Sequence, residues 1–378
     1  MQRKRMNINP GTLIAGVAVG AGIVLARNAW ARRHPYDLPA QRRIERALDR
    51  TLQEARRNGR IVLDANHRYI IFSDHHKGAR NRADNFQQCE ETYLAALDHY
   101  FEQGHTLIVL GDAEELLEES IVSVLSAYEN VLCSEARFHP ERHIRLHGNH
   151  DDAWQSVTLV RRYLDPIFPN LEFKDGLVFE FSDEDGQRGE IFLAHGHQGT
   201  LDSDVFAFMG RLVLPYYRDF QILTGWGRTS PAQDDCLRAE HDTQMYRWAS
   251  RQPRLMLIAG HTHRPVWSSV THLEKLVWQL SSLQQLKPGE RPADYAEQVA
   301  RLKREIQIRQ EKYPPCSDTI KTRPCYFNTG CSRFDDGDIT GIEIENGLIR
   351  LIKWGKVAGR LQRGVLEETP LVEIFDLL

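Results

Sequence analysis

Five short polar strings recur along this chain, each at the end of an apolar, partly β-branched run: FSDHH at 72–76, VLGDAEE at 109–115, LHGNHD at 146–151, LAHGH at 193–197 and AGHTHRP at 259–265. Short apolar runs bounded by Gly, Asp and Asn read as buried strands. The polar residues then fall in loops at strand ends, where one sheet edge presents them together. Helical periodicity fills the gaps between the first strands: strand 69–73, helix 87–102, strand 106–110, helix 114–128, strand 143–147 and helix 153–163. Such β-α repetition predicts an α/β fold with central strands covered by helices.

The residues gathered by those loops are Asp74, His76, Asp112, Asn149, His150, His195, His261 and His263. Carboxylate, imidazole and amide oxygens are the donors that Mn²⁺, Fe²⁺ and Zn²⁺ accept. One Asp can bridge two ions, and a pair about 3.5–4 Å apart can hold a bridging hydroxide and neutralise a phosphoryl group under in-line attack. Taken singly the strings are weak, since a histidine beside an apolar strand is usually a satisfied core residue and Gly-Asp is usually a turn. The joint order carries the inference.

That order, D-x-H, G-D, G-N-H-D, H-G-H and G-H-x-H, resembles the metallophosphoesterase (calcineurin-like phosphoesterase) superfamily over about residues 68–355. The resemblance implies a two-sheet β-sandwich flanked by helices. It implies that Asp74, His76 and His263 bind one metal, that Asn149, His195 and His261 bind the other, and that Asp112 bridges; Mn²⁺ is the favoured ion, with Fe²⁺ or Zn²⁺ as alternatives. His150 would lie by the scissile phosphate and protonate the leaving oxygen, a role that suits an imidazole. Asp151 reads either as a partner that orients His150 or as the N-cap of the helix that follows. Within the superfamily the chain is most similar to the UDP-2,3-diacylglucosamine pyrophosphatases, through Glu115 three residues after Asp112, the string HGHQGTLDSD at 195–204 and GHTHRP. It departs from them at His150, where they carry arginine, and at His197, where they carry aspartate.

The N-terminus adds a second signal. Residues 11–26 (GTLIAGVAVGAGIVLA) are uncharged and follow the cationic start Met1–Arg5; Arg27, Trp30, Arg32 and Arg33 close the segment. The run sits at the short edge of the roughly 17–25 residues that a spanning helix needs. A membrane anchor is the preferred reading, supported by Trp30 and by Gly16-x-x-x-Gly20. A cleaved signal peptide ending at Ala-Trp-Ala and a buried or interfacial helix are the alternatives. Arginines at 27, 32, 33, 42, 43 and 46 outweigh Arg3, Lys4 and Arg5, which places the catalytic domain in the cytoplasm.

These boundaries divide the chain into an anchor or signal segment (1–34), a linking helix (35–66), a metallophosphoesterase domain (67–358) with insertions at 199–252 and 272–313, and a tail (359–378) that reads as a surface element. The linking helix puts Ile44, Leu48, Leu52 and Ala55 on one face and stops at Gly59. Strands 177–182 and 190–194 form a hairpin, and strands 325–329, 339–345 and 348–354 complete the sheet around Asn328-Thr-Gly330 and the turn Glu345-Asn-Gly347. The first insertion is rich in Phe, Tyr and Trp, and reads as a helical layer or as a cap that receives a lipid or a base. The second reads as a helical hairpin broken at Lys287-Pro-Gly289, with Tyr295, Val299, Leu302 and Ile306 in a stripe. Residues 371–378 are expected to dock by apolar contact.

A net charge of −4 argues against a nucleic-acid partner. The basic clusters at 27–60 and 301–323 fall on predicted helices and read as solvated faces. Six scattered cysteines form no C-x-x-C pair and read as reduced thiols, with a disulfide among Cys316, Cys325 and Cys331 as second choice. The expected activity is hydrolysis of a phosphoester or pyrophosphate, small or lipid- or nucleotide-linked, near a membrane. A cyclic nucleotide or a phosphoprotein is the alternative substrate, and a non-catalytic scaffold built on the same fold is the alternative function.

Overall fold

The computed structural model describes residues 38–63, 67–81, 84–182, 186, 188–200, 235–287, 289, 291–292, 294–312 and 321–378. The expected anchor or signal segment at 1–34, and residues 201–234 of the first insertion, lie outside the described residues. No helix among the described residues is long and apolar enough to cross a membrane.

The strands in chain order are β1 (Ile61–Val62), β2 (Arg68–Phe72), β3 (Thr106–Leu110), β4 (His143–Leu146), β5 (Phe173–Lys174), β6 (Leu177–Ser182), β7 (Arg188–Leu193), β8 (Leu255–Ala259), β9 (Pro265–Trp267), β10 (Val270–Thr271), β11 (Tyr326–Thr329), β12 (Ile339–Glu345), β13 (Leu348–Val357) and β14 (Arg360–Pro370). They build two mixed sheets among the described residues, ordered β1-β6-β7-β8-β11-β9-β10 and β14-β13-β12-β2-β3-β4-β5. β2, β3, β4 and β5 run parallel, as do β7, β8 and β11.

The continuous apolar runs are explained by burial on both faces. Alternate residues of one strand enter different cores: Tyr69 and Ile71 of β2 meet Phe179, Ile191 and Ile258 between the sheets, while Ile70 and Phe72 point outward to Tyr93, Leu97 and Tyr100 of the helix Glu90–Glu102. Val178, Phe192, Leu255 and Leu257 cover the other outer face together with helices Leu38–Arg57 and Asp235–Ala249. Each fully buried Leu, Ile or Phe in these layers contributes about 1.5–3 kcal/mol of transfer free energy. The result is the two-sheet, helix-flanked sandwich expected from the sequence.

Several local expectations change. The 38–57 helix does not merely link: Ile44, Leu48, Leu52 and Ala55 form part of the layer on the first sheet, and Trp248 Nε1 donates to Asp49 Oδ1 at 2.9 Å. The helix expected over 114–128 starts at Ile121, and a second helix continues over Glu129–Ala136. Residues before it are pulled out of helix because Glu115 N–H donates to Lys77 O and Leu116 N–H to His150 O, both at 3.0 Å, tying this stretch to neighbouring loops. The tail is no mere surface element. β14 pairs along the whole of β13, through a turn in which Ala358 and Gly359 both have positive φ. Leu371, Ile374 and Phe375 of the last helix, Leu371–Asp376, dock on the inter-sheet core. The second insertion forms the expected hairpin from helices His272–Gln285 and Tyr295–Lys312, closed by Leu276, Leu302 and Ile306. Cys89, Cys133, Cys325 and Cys331 are free thiols.

Candidate metal centre

Every motif loop leaves the carboxyl end of a parallel strand, the edge where α/β sheets form sites. Asp74 and His76 follow β2, Asp112 follows β3, Asn149 and His150 follow β4, His195 follows β7, and His261 and His263 follow β8. The turns are tight: Asp74, His76, Asp112, His261 and His263 all have positive φ, between 48° and 68°. Non-glycine residues hold such angles only where their surroundings impose them.

The motif glycines make the approach possible. A Cβ on Gly148 would lie 2.1 Å from Asp112 Oδ1, one on Gly111 2.6 Å from His195 Nδ1, and one on Gly260 2.5 Å from Asp74 Oδ2. No side chain fits at these three positions while the acidic and imidazole groups keep their places.

Among the described residues three groups of side chains converge so that their donor atoms lie within 4.8 Å of one another: Asp74, His76 and His263; Asp112, His195 and His261; and, joining these two, His76, Asp112 and His150. Nε2 of His263 lies 3.2 Å from both Asp74 Oδ1 and His76 Nε2. Asp112 Oδ2 stands between the groups, 3.6 Å from His76 Nε2 and 3.1 Å from His195 Nε2. Asn149 Oδ1, His195 Nε2 and His261 Nε2 are buried without a hydrogen bond of proper geometry. Each such orphan costs about 1–3 kcal/mol, and all three are Lewis-basic atoms on the residues expected to share one ion. The donor set fits divalent metals.

Charge argues the same way. Burial opposes ionisation of Asp74 and Asp112, yet the facing imidazoles, His263 and His195 for Asp74, His195 and His150 for Asp112, hold both carboxyls well below the ordinary range. Burial, aided by His241, keeps His261 neutral far below its ordinary value, as a ligand imidazole requires. His195 is pulled the other way, up to about 10, because Asp112 and Asp74 outweigh its burial. The pair of carboxylates attracts positive charge to this spot. Further contacts fix these side chains: His195 Nδ1 donates to Leu110 O at 2.7 Å, and the His261 N–H donates to both carboxylate oxygens of Asp74, at 3.1 and 3.0 Å.

His150 stands at the edge of the centre, its ring 4.4 Å from that of His76. Its Nδ1 donates to Glu115, 2.8 Å from each carboxylate oxygen, and Glu115 Oε2 also receives His76 Nδ1 at 2.9 Å. Although burial disfavours the charged ring, Glu115 and Asp112 push His150 up to about 9.

Asp151 differs from both readings of the sequence. It neither orients the His150 ring nor makes a side-chain cap on the following turn. Its carboxylate receives the N–H of Gly148 and the N–H of Ala113, both at 2.8 Å, and so clamps the third motif loop to the second. The carboxylate that steers His150 is Glu115, whose only mark in the sequence is its place three residues after Asp112. Asn328 was also without an assigned role. Its Nδ2 donates to Gly260 O at 2.6 Å and its Oδ1 receives the Gly330 N–H at 2.9 Å, joining the loop after β11 to the fifth motif.

No curated protein matches the chain. Among solved structures it is similar to vacuolar protein sorting 29 from Cryptosporidium parvum, with 11% identity and a TM-score of 0.35 over 80% of this chain and 98% of that one. It is also similar to a single mutant of the Entamoeba histolytica protein of the same name, with 13% identity and a TM-score of 0.29 over 79% and 99%. The family model for calcineurin-like phosphoesterases matches residues 67–265, more than half of the chain and a span that contains all five motifs. The chain belongs to the calcineurin-like phosphoesterase family.

Proposed function

We propose that this protein is a phosphoesterase dependent on two divalent metals, which hydrolyses a phosphate ester or pyrophosphate that is small or lipid-linked. The observation that carries the proposal is the position of Asp112 Oδ2 between His76 and His195, which joins two ligand groups through one carboxylate. Asp74, His76 and His263 would hold one ion, and Asn149, His195 and His261 the other, with Asp112 shared. Ions held there supply a nucleophile at neutral pH and neutralise charge that builds on the phosphoryl oxygens. Mn²⁺ is our first choice, with Fe²⁺ and Zn²⁺ as alternatives that the same carboxylate, imidazole and amide donors accept.

The chain's own residues do the rest. Glu115 engages Nδ1 of His150 and thereby leaves Nε2 to face the substrate. The imidazolium, favoured by that carboxylate, gives its proton to the leaving oxygen. Asp151 keeps the loops that carry Asp112 and Asn149 in register. The apolar N-terminal run and its flanking arginines support a membrane anchor with the catalytic domain in the cytoplasm, and a lipid-linked substrate would be met there.

The test uses the full chain, stripped and reloaded with Mn²⁺, on a nitrophenyl phosphomonoester, a nitrophenyl phosphodiester and a UDP-linked acyl-sugar, with Asp112→Ala as control. Turnover on at least one substrate, absent from the control, is expected. A wild-type chain that binds no metal would overturn the proposal.

A further inference from the structure

The loop after β11 contributes a group that none of the motifs contains. Gly330 has φ +80° and leaves no room for a Cβ, which would stand 2.1 Å from Thr340 Oγ1. From there the backbone is pinned on both sides: Cys331 exchanges hydrogen bonds with Thr340 at 3.1 and 3.3 Å, Ser332 N–H reaches Asp74 O at 3.4 Å, and Cys89 Sγ donates to Phe334 O at 3.4 Å. Arg333 lies between these anchors and is half-buried. Through its neighbour Ser332 it is set against the loop that carries Asp74 and His76.

The other arginine near the centre is occupied, since Arg264 faces the buried carboxylate of Asp242 at 3.9 Å. Arg333 is not: among the described residues no ion pair or side-chain hydrogen bond engages its guanidinium, those with Asp335 and Asp336 of its own loop included. A cation on a loop pinned against the first motif, without an internal partner among the described residues, is disposed for an anion that comes from outside.

We infer that Arg333 binds non-bridging oxygens of the substrate's phosphoryl group and favours a phosphate dianion, the end of a phosphomonoester or pyrophosphate, over a diester. The guanidinium fork matches a phosphate in two-point geometry, which an ammonium does not. A dianion also gains about twice the Coulombic attraction of a monoanion from the same cation. The assignment takes its ligand from the phosphoesterase reading, so its test separates the two.

Inorganic phosphate is titrated calorimetrically into the full-length, Mn²⁺-loaded chain, into Arg333→Ala and into Arg333→Lys, with manganese per chain measured for each. A loss of about 10- to 100-fold in phosphate affinity is expected for Arg333→Ala, as for a charge-assisted contact, with an intermediate loss for Arg333→Lys and unchanged manganese. With nitrophenyl esters, KM for the monoester rises by a similar factor, kcat changes little, and the diester is affected less. Phosphate affinity within about twofold of wild type in Arg333→Ala, or a loss that tracks departure of manganese, would overturn the inference; equal losses on the two esters would overturn the dianion preference. If the wild type turns over no ester but binds phosphate through Arg333, the hydrolase reading fails and the phosphate contact stands.

Discussion

Glu115 and His150 form a carboxylate–imidazole pair in which Nδ1 of the ring lies 2.8 Å from both carboxylate oxygens, and one of those oxygens also holds His76 at 2.9 Å. A single side chain thus sets the tautomer of His76, proposed as a metal ligand, and of His150, proposed as the acid. Removal of outer carboxylates of this kind costs about 10- to 100-fold in activity or metal affinity. Glu115→Gln, which keeps the shape and loses the charge, should lower kcat within that range while manganese per chain holds; Glu115→Ala should lower both. A Glu115→Gln enzyme at the wild-type rate would sink the pairing as a functional element.

His150 itself is separable from the metals. Its ring neighbours His76 but is not among the expected ligands, and Glu115 still holds His76 Nδ1 without it, so His150→Ala should retain its manganese and lose about 10²–10⁴ in kcat. Steady-state rates beside elemental analysis decide this, and a rate within a few-fold of wild type would remove His150 as the acid.

Gly148 is a steric requirement of the centre. A methyl group there would stand 2.1 Å from Asp112 Oδ1 and 2.2 Å from Asp112 N. Gly148→Ala should therefore abolish metal retention, whereas Gly364→Ala, whose nearest atom is Lys353 O at 3.8 Å, should leave it intact. Metal analysis after gel filtration reads the contrast.

Behind the second motif lies a buried charge cluster. Lys77 Nζ meets Glu135 Oε1 at 2.8 Å and Glu114 Oε1 at 3.3 Å, and Arg145 Nη2 meets Glu114 Oε2 at 2.5 Å, all four side chains fully buried. Removal of one member leaves an uncompensated charge, at a cost of about 3–5 kcal/mol. Lys77→Met should show that loss in denaturant unfolding, and Lys77→Met/Glu135→Leu should recover part of it. A double variant no more stable than the single one would contradict this account.

On the same outer face of the second sheet, buried Glu343 receives Arg363 and Tyr100. Burial opposes its charge, but these hydrogen bonds prevail and hold the carboxyl below its ordinary value. A depressed folded-state pKa contributes stability that is present above the unfolded value, about 4.3, and is lost as pH falls through the folded value. Arg363→Ala should cost about 1.5–3 kcal/mol at pH 7, and the difference from wild type should shrink on acidification below about pH 4. Unfolding midpoints over pH 3–7 check it; a gap constant with pH would refute the charge origin.

The sequence by itself determined what is encoded within a few residues. Period-two and apolar runs placed β2, β3, β4, β11 and β12 to within a residue or two, Asn346-Gly347 marked its hairpin turn, and polar residues at strand ends named the side chains that converge, because strand burial and turn chemistry are local properties. Tertiary structure alone decided the pairings. His261 and Asp74 are 187 residues apart and bond only because two strands of different sheets deliver them to one edge. Asp151, read as a partner of His150, is spent on the backbone of Gly148 and Ala113, since a buried carboxylate goes to whichever N–H groups the packing leaves unpaired. The tail became β14 through an Ala358-Gly359 turn that lacks the usual Asn-Gly mark, and it pairs with β13, whose other edge is taken by β12. No local pattern names a residue's distant neighbour; chain closure and the competition for buried polar groups do.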